Sequence, residues 1–175
     1  MLQRAQRGDA SAFTELVRPH FESIRRFAYS FSRSWQDADD LAQEALLKAF
    51  QSLPSFQAQS ALATWLYTVT RNVCIDHHRT RAVRTAHLYE PLSDELPEAQ
   101  TGPDDAIDQR REAAQLWAAI RRLEPEFRGP LVLFEIEGMS YEEVARIEQI
   151  PVGTVRSRLS RARRKLADAL REKNG

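Results

Sequence analysis

Residues 138–166 constrain the fold most, because two helical patterns meet there across a break too short for anything but a tight turn. The first reads Gly138-Met-Ser-Tyr-Glu-Glu-Val-Ala-Arg-Ile-Glu-Gln149. Ser140 can cap the amide three residues on, and Glu143 can reach back to the Ser140 amide, which is a capping box. Tyr141, Val144 and Ala145, followed by Ile147 or Glu148, then recur at helical spacing. Gln149-Ile150-Pro151 ends that helix and the next begins at once. On a wheel advancing about 100° per residue, Val155, Leu159, Ala162 and Leu166 form one apolar stripe. Ser157, Ser160, Arg161 and Arg164 lie opposite, flanked by Arg156 and Arg163 on one side and by Arg158 and Lys165 on the other. Six of the ten positions from Arg156 to Lys165 are basic and none is acidic. A basic run alone reads as a solvated helix face. Cap, break and face together read as a helix-turn-helix whose second helix offers hydroxyls and guanidinium forks suited to base edges and phosphates.

The 175 residues suffice for one ordinary domain or two small ones. Basic and acidic residues balance at 25 each, so the net charge is uninformative. Their distribution is not. Residues 1–82 carry 10 basic and 8 acidic side chains, 83–110 carry 2 and 7, and 111–175 carry 13 and 10. Two mildly basic ends are thus joined by an acidic connector. No stretch approaches the run of about 20 apolar residues that a membrane span needs, and the first residues lack a signal peptide's apolar core. The single cysteine, Cys74, sits among Val69, Val73 and Ile75 and reads as core filler; one cysteine fits a reducing cytoplasm.

Helical periodicity governs both ends. From Asp9 to Arg33, Phe13, Leu16, Val17, Phe21, Ile24, Phe27 and Phe31 recur at threes and fours, with Pro19 forcing a kink or a junction of two helices. A second helix is expected over about Trp35–Ser52, with Asp37, Asp39 and Asp40 in its first turn. After a polar loop at 54–60, a third runs from about Leu62 to Arg81. Pro91, Pro97, Pro103, Gly102 and a string of acids then mark a flexible linker. Helices resume over Ala106–Leu123 and Pro125–Glu137, with Gly129-Pro130 weakening the latter and Gly138 ending it. The reading is all-α, two small helical domains at 1–82 and 108–175 joined by a linker at 83–107.

Four segments, in order, resemble the bacterial RNA polymerase sigma factors of the extracytoplasmic-function type, group IV of the sigma-70 superfamily. They are Arg7-Gly-Asp-Ala-Ser-Ala-Phe-Thr-Glu-Leu-Val17, Asp37-Ala-Asp-Asp-Leu-Ala-Gln-Glu-Ala-Leu-Leu-Lys-Ala-Phe50, Thr64-Trp-Leu-Tyr-Thr-Val-Thr-Arg-Asn-Val-Cys-Ile-Asp76 and the helix-turn-helix itself. The resemblance implies sigma region 2 at the start and sigma region 4 at the end. It also implies a non-enzymatic function, with core RNA polymerase and promoter DNA as partners and an anti-sigma protein as a common third.

The same resemblance assigns roles. Asp40, Gln43 and Glu44 would dock on a basic coiled coil of the polymerase, where charge complementarity sets orientation and on-rate. Phe56, Gln57, Gln59, Arg71 and Asn72 would handle the −10 element, since a base that leaves the stack needs an aromatic or amide pocket. Arg156, Ser157, Ser160 and Arg161 would meet base edges at the −35 element, with Arg164 along the backbone or at one further base. Arg158 and Lys165 are expected at phosphates, and Trp65 chiefly in the core. The family commonly carries a polar or charged residue and an aromatic just before Thr-Trp-Leu, where Ala61-Leu62-Ala63 stands here. The alternative function is a stand-alone helix-turn-helix repressor or activator, for which no dimer-forming seam is evident. A nucleic-acid enzyme would need converging carboxylates, but Asp37, Asp39 and Asp40 spread around a helix. No catalytic residue, cofactor or metal site is read; His77 and His78 are adjacent and so face different directions.

Overall fold

The structure, a computed structural model, describes residues 1–84 and 104–174, and every regular element among them is helical. The linker expected at 83–107, with its apolar Leu88, Leu92 and Leu96, lies almost wholly outside the described residues. The N-terminal helices are α1 (Leu2–Gln6), α2 (Ala10–Val17), α3 (Phe21–Phe31), α4 (Trp35–Ser52) and α5 (Leu62–Arg84). The C-terminal ones are α6 (Asp104–Arg122), α7 (Pro125–Leu131), α8 (Tyr141–Glu148) and α9 (Val152–Asn174).

Local chemistry sets the boundaries. Asp9 caps α2 by accepting from the Ala12 amide, and it is also gripped by Arg4. At Pro19 two helices abut: a 3-10 turn, Arg18–His20, links α2 to α3. Ser34 caps α4 through the Asp37 amide, a cap the periodicity alone did not reveal. Asp37 is the one acid in that helix's first turn; Asp39 instead pairs with Arg25 on α3. The helix expected over Pro125–Glu137 is α-helical only to Leu131 and continues as a π-helical turn, Val132–Ile136. Pro130 lacks the amide that a regular ladder would use there. Gly138 ends the segment at φ 69°, a conformation that favours glycine.

Two apolar cores result. Ala12, Phe13, Val17, Ile24, Leu53 and Leu66 fill the first, between α2, α3, α4 and α5. The second starts from Phe27, Phe31, Leu41, Tyr67, Val73 and Cys74, and continues without interruption into Ile120, Phe127, Leu133, Val144, Ile147, Val155 and Leu159. The two helical sets therefore share a core. Tyr29 lies at the join, stacked on Trp35 at 3.9 Å and edge-on to Trp117 at 5.5 Å. Arg128 is buried there, donating to the carbonyls of Arg121 and Leu123 and lying 5.3 Å from the Phe31 ring. Burial, then the neighbouring Arg121 charge, pushes its pKa down to about 10.

Candidate functional site

The helix-turn-helix forms as its residues require. Ser140 accepts from the Glu143 amide at 3.2 Å, and Glu143 accepts from the Ser140 amide at 2.9 Å. Those bonds hold the Glu143 carboxyl below the usual range. Gln149 ends α8 in the left-handed conformation, φ 56°, and its amide and that of Ile150 return to the last turn. Val155, Leu159 and Ala162 are buried on α9, which leaves Arg156, Ser157, Ser160, Arg161 and Arg164 exposed together. The Ser157 hydroxyl donates to the Thr154 carbonyl, so its oxygen remains an acceptor. Arg156 lies 5.4 Å from the Tyr141 ring, which limits its rotamers. On the flanks, Lys165 binds Glu124 and Arg163 binds Glu135, each at 2.7 Å. Lys165, expected at phosphates, is thus already partnered by a carboxylate.

On α4, Asp40, Gln43 and Glu44 are all exposed and share one face. Lys48 pairs with Glu44 at 2.8 Å. One turn on, Leu47 continues this face and is 58 % exposed. It borders an apolar groove of about 660 Å³, lined by Phe13, Val17, Phe21, Leu46, Leu47 and Phe50. The charge pattern did not disclose this groove, because its walls come from helices distant in sequence.

The 54–63 loop folds over the start of α5. Phe56 lies 4.9 Å from Trp65, ring to ring, and the two line a cavity of about 230 Å³ with Ser55, Gln57, Gln59 and Ser60. Gln59 donates to Gln57 at 2.9 Å, while Ala58 between them takes φ 52°. Trp65, expected chiefly in the core, packs half-buried against the first apolar core and also forms a wall of this cavity. Gln6 secures the loop from α1, donating to the Phe56 carbonyl at 2.9 Å. Asn72 is exposed on α5 and accepts from Arg71 at 3.4 Å, and Arg71 is also pulled toward the C-terminal helices.

That pull comes from Glu148, the last residue of α8, whose side chain is 3 % exposed and lies 3.4 Å from Arg71. Burial pushes its pKa up, against the opposing pull of Arg71. A second buried carboxylate, Glu137, is held by Nη2 and Nε of Arg26 at 3.0 and 3.1 Å and by the Tyr67 hydroxyl at 3.0 Å. Sequence periodicity could not single out these five partners, since each pair is more than 65 residues apart in the chain.

The chain matches two family profiles in order: Sigma-70 region 2 over residues 16–84 and Sigma-70 region 4 over residues 113–166. It is 36% identical to the RNA polymerase sigma-H factor of Pseudomonas aeruginosa, over 97% of this chain and 92% of that one. It is 38% identical to the ECF RNA polymerase sigma factor SigE of Mycolicibacterium smegmatis, covering 93% of this chain but 64% of that longer protein. Among solved structures it is similar to the sigma factor RpoE of Bartonella quintana, crystallised with the anti-sigma factor NepR. There the TM-score is 0.77 at 30% identity, over 93% of this chain and 98% of that one. CnrH, solved with the cytosolic domain of CnrY, gives 0.71 at 25% identity, over 98% of this chain and 95% of that one. With region 2 and region 4 each folded around the helices described above, the chain belongs to the ECF group of sigma-70 RNA polymerase sigma factors, which are non-enzymatic subunits for transcription initiation.

Proposed function

We propose that this chain directs core RNA polymerase to promoters through three surfaces, with residues 1–82 docking on the polymerase and reading the −10 element and residues 108–175 reading the −35 element. The observation that carries this reading is the α9 face. Its basic and hydroxylic side chains stay exposed while the capping box and apolar stripe fix the helix that presents them. Arg156, Ser157, Ser160 and Arg161 contact base edges, with Arg164 at the backbone or a further base. Asp40, Gln43 and Glu44 meet a basic helix of the polymerase, and the groove beside Leu47 receives an apolar side chain from the same partner. An unstacked base enters the cavity between Phe56, Trp65, Gln57 and Gln59, where rings offset the loss of stacking and amides read the base edge. Asn72 and Arg71 contact the strand beside it. Ala61-Leu62-Ala63 contributes no side-chain hydrogen-bond donor, so discrimination falls to the two glutamines.

The similar sigma factor RpoE was solved with an anti-sigma factor, NepR, and the similar protein CnrH with the cytosolic domain of CnrY. An anti-sigma protein that covers the α4 and α9 faces is the corresponding partner here. No helix among the described residues is long and apolar enough to cross a membrane. A sigma factor's partner polymerase places the proposed activity in the cytoplasm. Run-off transcription with bacterial core polymerase and a promoter-fragment library tests the reading. Initiation that depends on this protein, from fragments sharing two spaced elements, is expected. Failure with the cognate core, while the protein alone shifts duplex DNA, would leave a stand-alone repressor or activator.

A further inference from the structure

Four side chains stack along one flank of α9. The Phe134 and Tyr141 rings lie 4.7 Å apart, centroid to centroid, and within 10° of parallel. Arg156 sits 5.4 Å from the Tyr141 centroid, and Arg163 sits 5.6 Å from the Phe134 centroid. Rings this close leave no room for a guanidinium between them, so the two cations cover the outer faces. The order is therefore Arg156, Tyr141, Phe134, Arg163. Helix geometry agrees, because seven residues make about two turns and rise about 10 Å, which sets both arginines on the same side of α9. A ring face carries negative potential, so a cation at each end of a stacked pair is favourable.

Each ring is fixed by its own element. Tyr141 is the first residue of α8, directly after the Ser140 cap. Phe134 comes from the π-helical turn, which the Glu137 amide closes on the Val132 carbonyl at 3.0 Å. Its neighbour Glu135 binds Arg163 at 2.7 Å, so a ring and a carboxylate from one turn hold the same guanidinium. Arg163 is thereby committed to the protein and anchors the stack. Arg156, at the other end, is exposed, and no carboxylate among the described residues pairs with it. A long side chain gives up rotamer freedom when it meets a ligand, and one already laid on a ring gives up less. The α9 cations over rings are Arg156, Arg163 and Lys165; Arg161, on the reading face, has no such support among the described residues.

We propose that Tyr141 and Phe134 are positioning residues for −35 recognition: the stack anchored by Arg163 and Glu135 orders Arg156 before it meets a base edge. The consequence for promoters rests on the proposed role of Arg156; the stack itself does not.

A double-mutant cycle on the full chain bound to core polymerase, titrated with duplexes varied at single −35 positions, tests the role. Tyr141→Leu should lower discrimination by roughly 2- to 5-fold at the base pair that Arg156→Ala also stops distinguishing. In the Arg156→Ala background it should cost nothing further, and Tyr141→Phe should keep the wild-type profile. Base pairs sensitive to Arg161→Ala should be unaffected. An equal loss in both backgrounds, or an Arg156→Ala variant that discriminates like wild type, would overturn the proposal. So would a Tyr141→Phe loss as large as that of Tyr141→Leu, which would put the hydroxyl on DNA. If Tyr141→Leu loses its helical circular dichroism signal, Phe134→Leu decides by the same cycle. Nuclear magnetic resonance on the free chain tests the stack without polymerase or DNA. The Arg156 δ-methylene protons should be shifted upfield by the Tyr141 ring, a shift that Tyr141→Phe keeps and Tyr141→Leu abolishes. Unshifted protons in the wild type would overturn the stack, whereas failure in run-off assays would leave those shifts in place.

Discussion

Arg161 stands exposed on α9 between Ser157 and Arg164, and no carboxylate among the described residues pairs with it. Arg163 and Lys165 on the same helix are instead neutralised by Glu135 and Glu124. An arginine bonded to both acceptors of a guanine discriminates by about 1–3 kcal/mol, so Arg161→Ala should weaken promoter binding by roughly 5- to 150-fold. Holoenzyme footprinting at the −35 element would measure it, and an unchanged footprint would remove Arg161 from the reading set. Cys74 poses the opposite case. It is fully buried, and burial pushes its thiol far above the ordinary range. The native protein should therefore leave its only thiol unreactive to a chromogenic disulfide reagent at pH 8, with full reaction once it is unfolded. Rapid native labelling would contradict the packing around Val73 and Cys74.

At the scale of elements, the cap at Ser140 fixes where α8 starts and hence how α9 is presented. Removing an N-cap hydroxyl commonly costs about 1 kcal/mol, so Ser140→Ala should lower the urea midpoint without changing the slope. The cap also has a pH signature. Glu143 titrates lower when folded than when unfolded, so its contribution is complete above the ordinary glutamate range and is lost as pH falls through the folded value. The stability advantage of wild type over Glu143→Ala should accordingly shrink as the pH is lowered through the acidic carboxylate range. A constant difference down to low pH would mean that the capping box is not the source. The Ser140–Glu143 spacing disclosed this device in the sequence. The 3-10 turn at Arg18–His20 and the π-helical turn at Val132–Ile136 were marked only as weak points at prolines. Pattern locates an interruption, while neighbouring packing selects its geometry.

At the scale of the molecule, Gly129 shows how closely α7 and α8 are fitted behind the contact with Arg71. A Cβ there would sit 2.3 Å from the Glu148 carboxylate, whose other oxygen faces Arg71. Gly129→Ala should therefore displace the carboxylate and lower stability by about 1–3 kcal/mol, read from urea unfolding. Combining it with Glu148→Ala should recover part of that loss, because the clash is removed along with the ion pair. No recovery would place the penalty elsewhere in α7. The glycine thus serves a contact between elements. Its effect on α7 alone had signalled only a weakened helix.

The sequence by itself determined the helices, the capped helix-turn-helix, the basic face of α9 and the acidic face of α4. Each depends on residues within a few turns of one another, and the helical repeat is sufficient to place them. The buried half of α8 was open: Ile147 and Glu148 both had the right spacing, and both turn out to be buried. Trp65 likewise satisfied an apolar stripe and became a cavity wall. Only the tertiary structure joined Phe27 and Tyr67 to Leu133 and Val144 in one core, or set Arg26 and Arg71 against Glu137 and Glu148. Those contacts cross the whole acidic connector, and no local period records which distant partner will offset the burial of a charge.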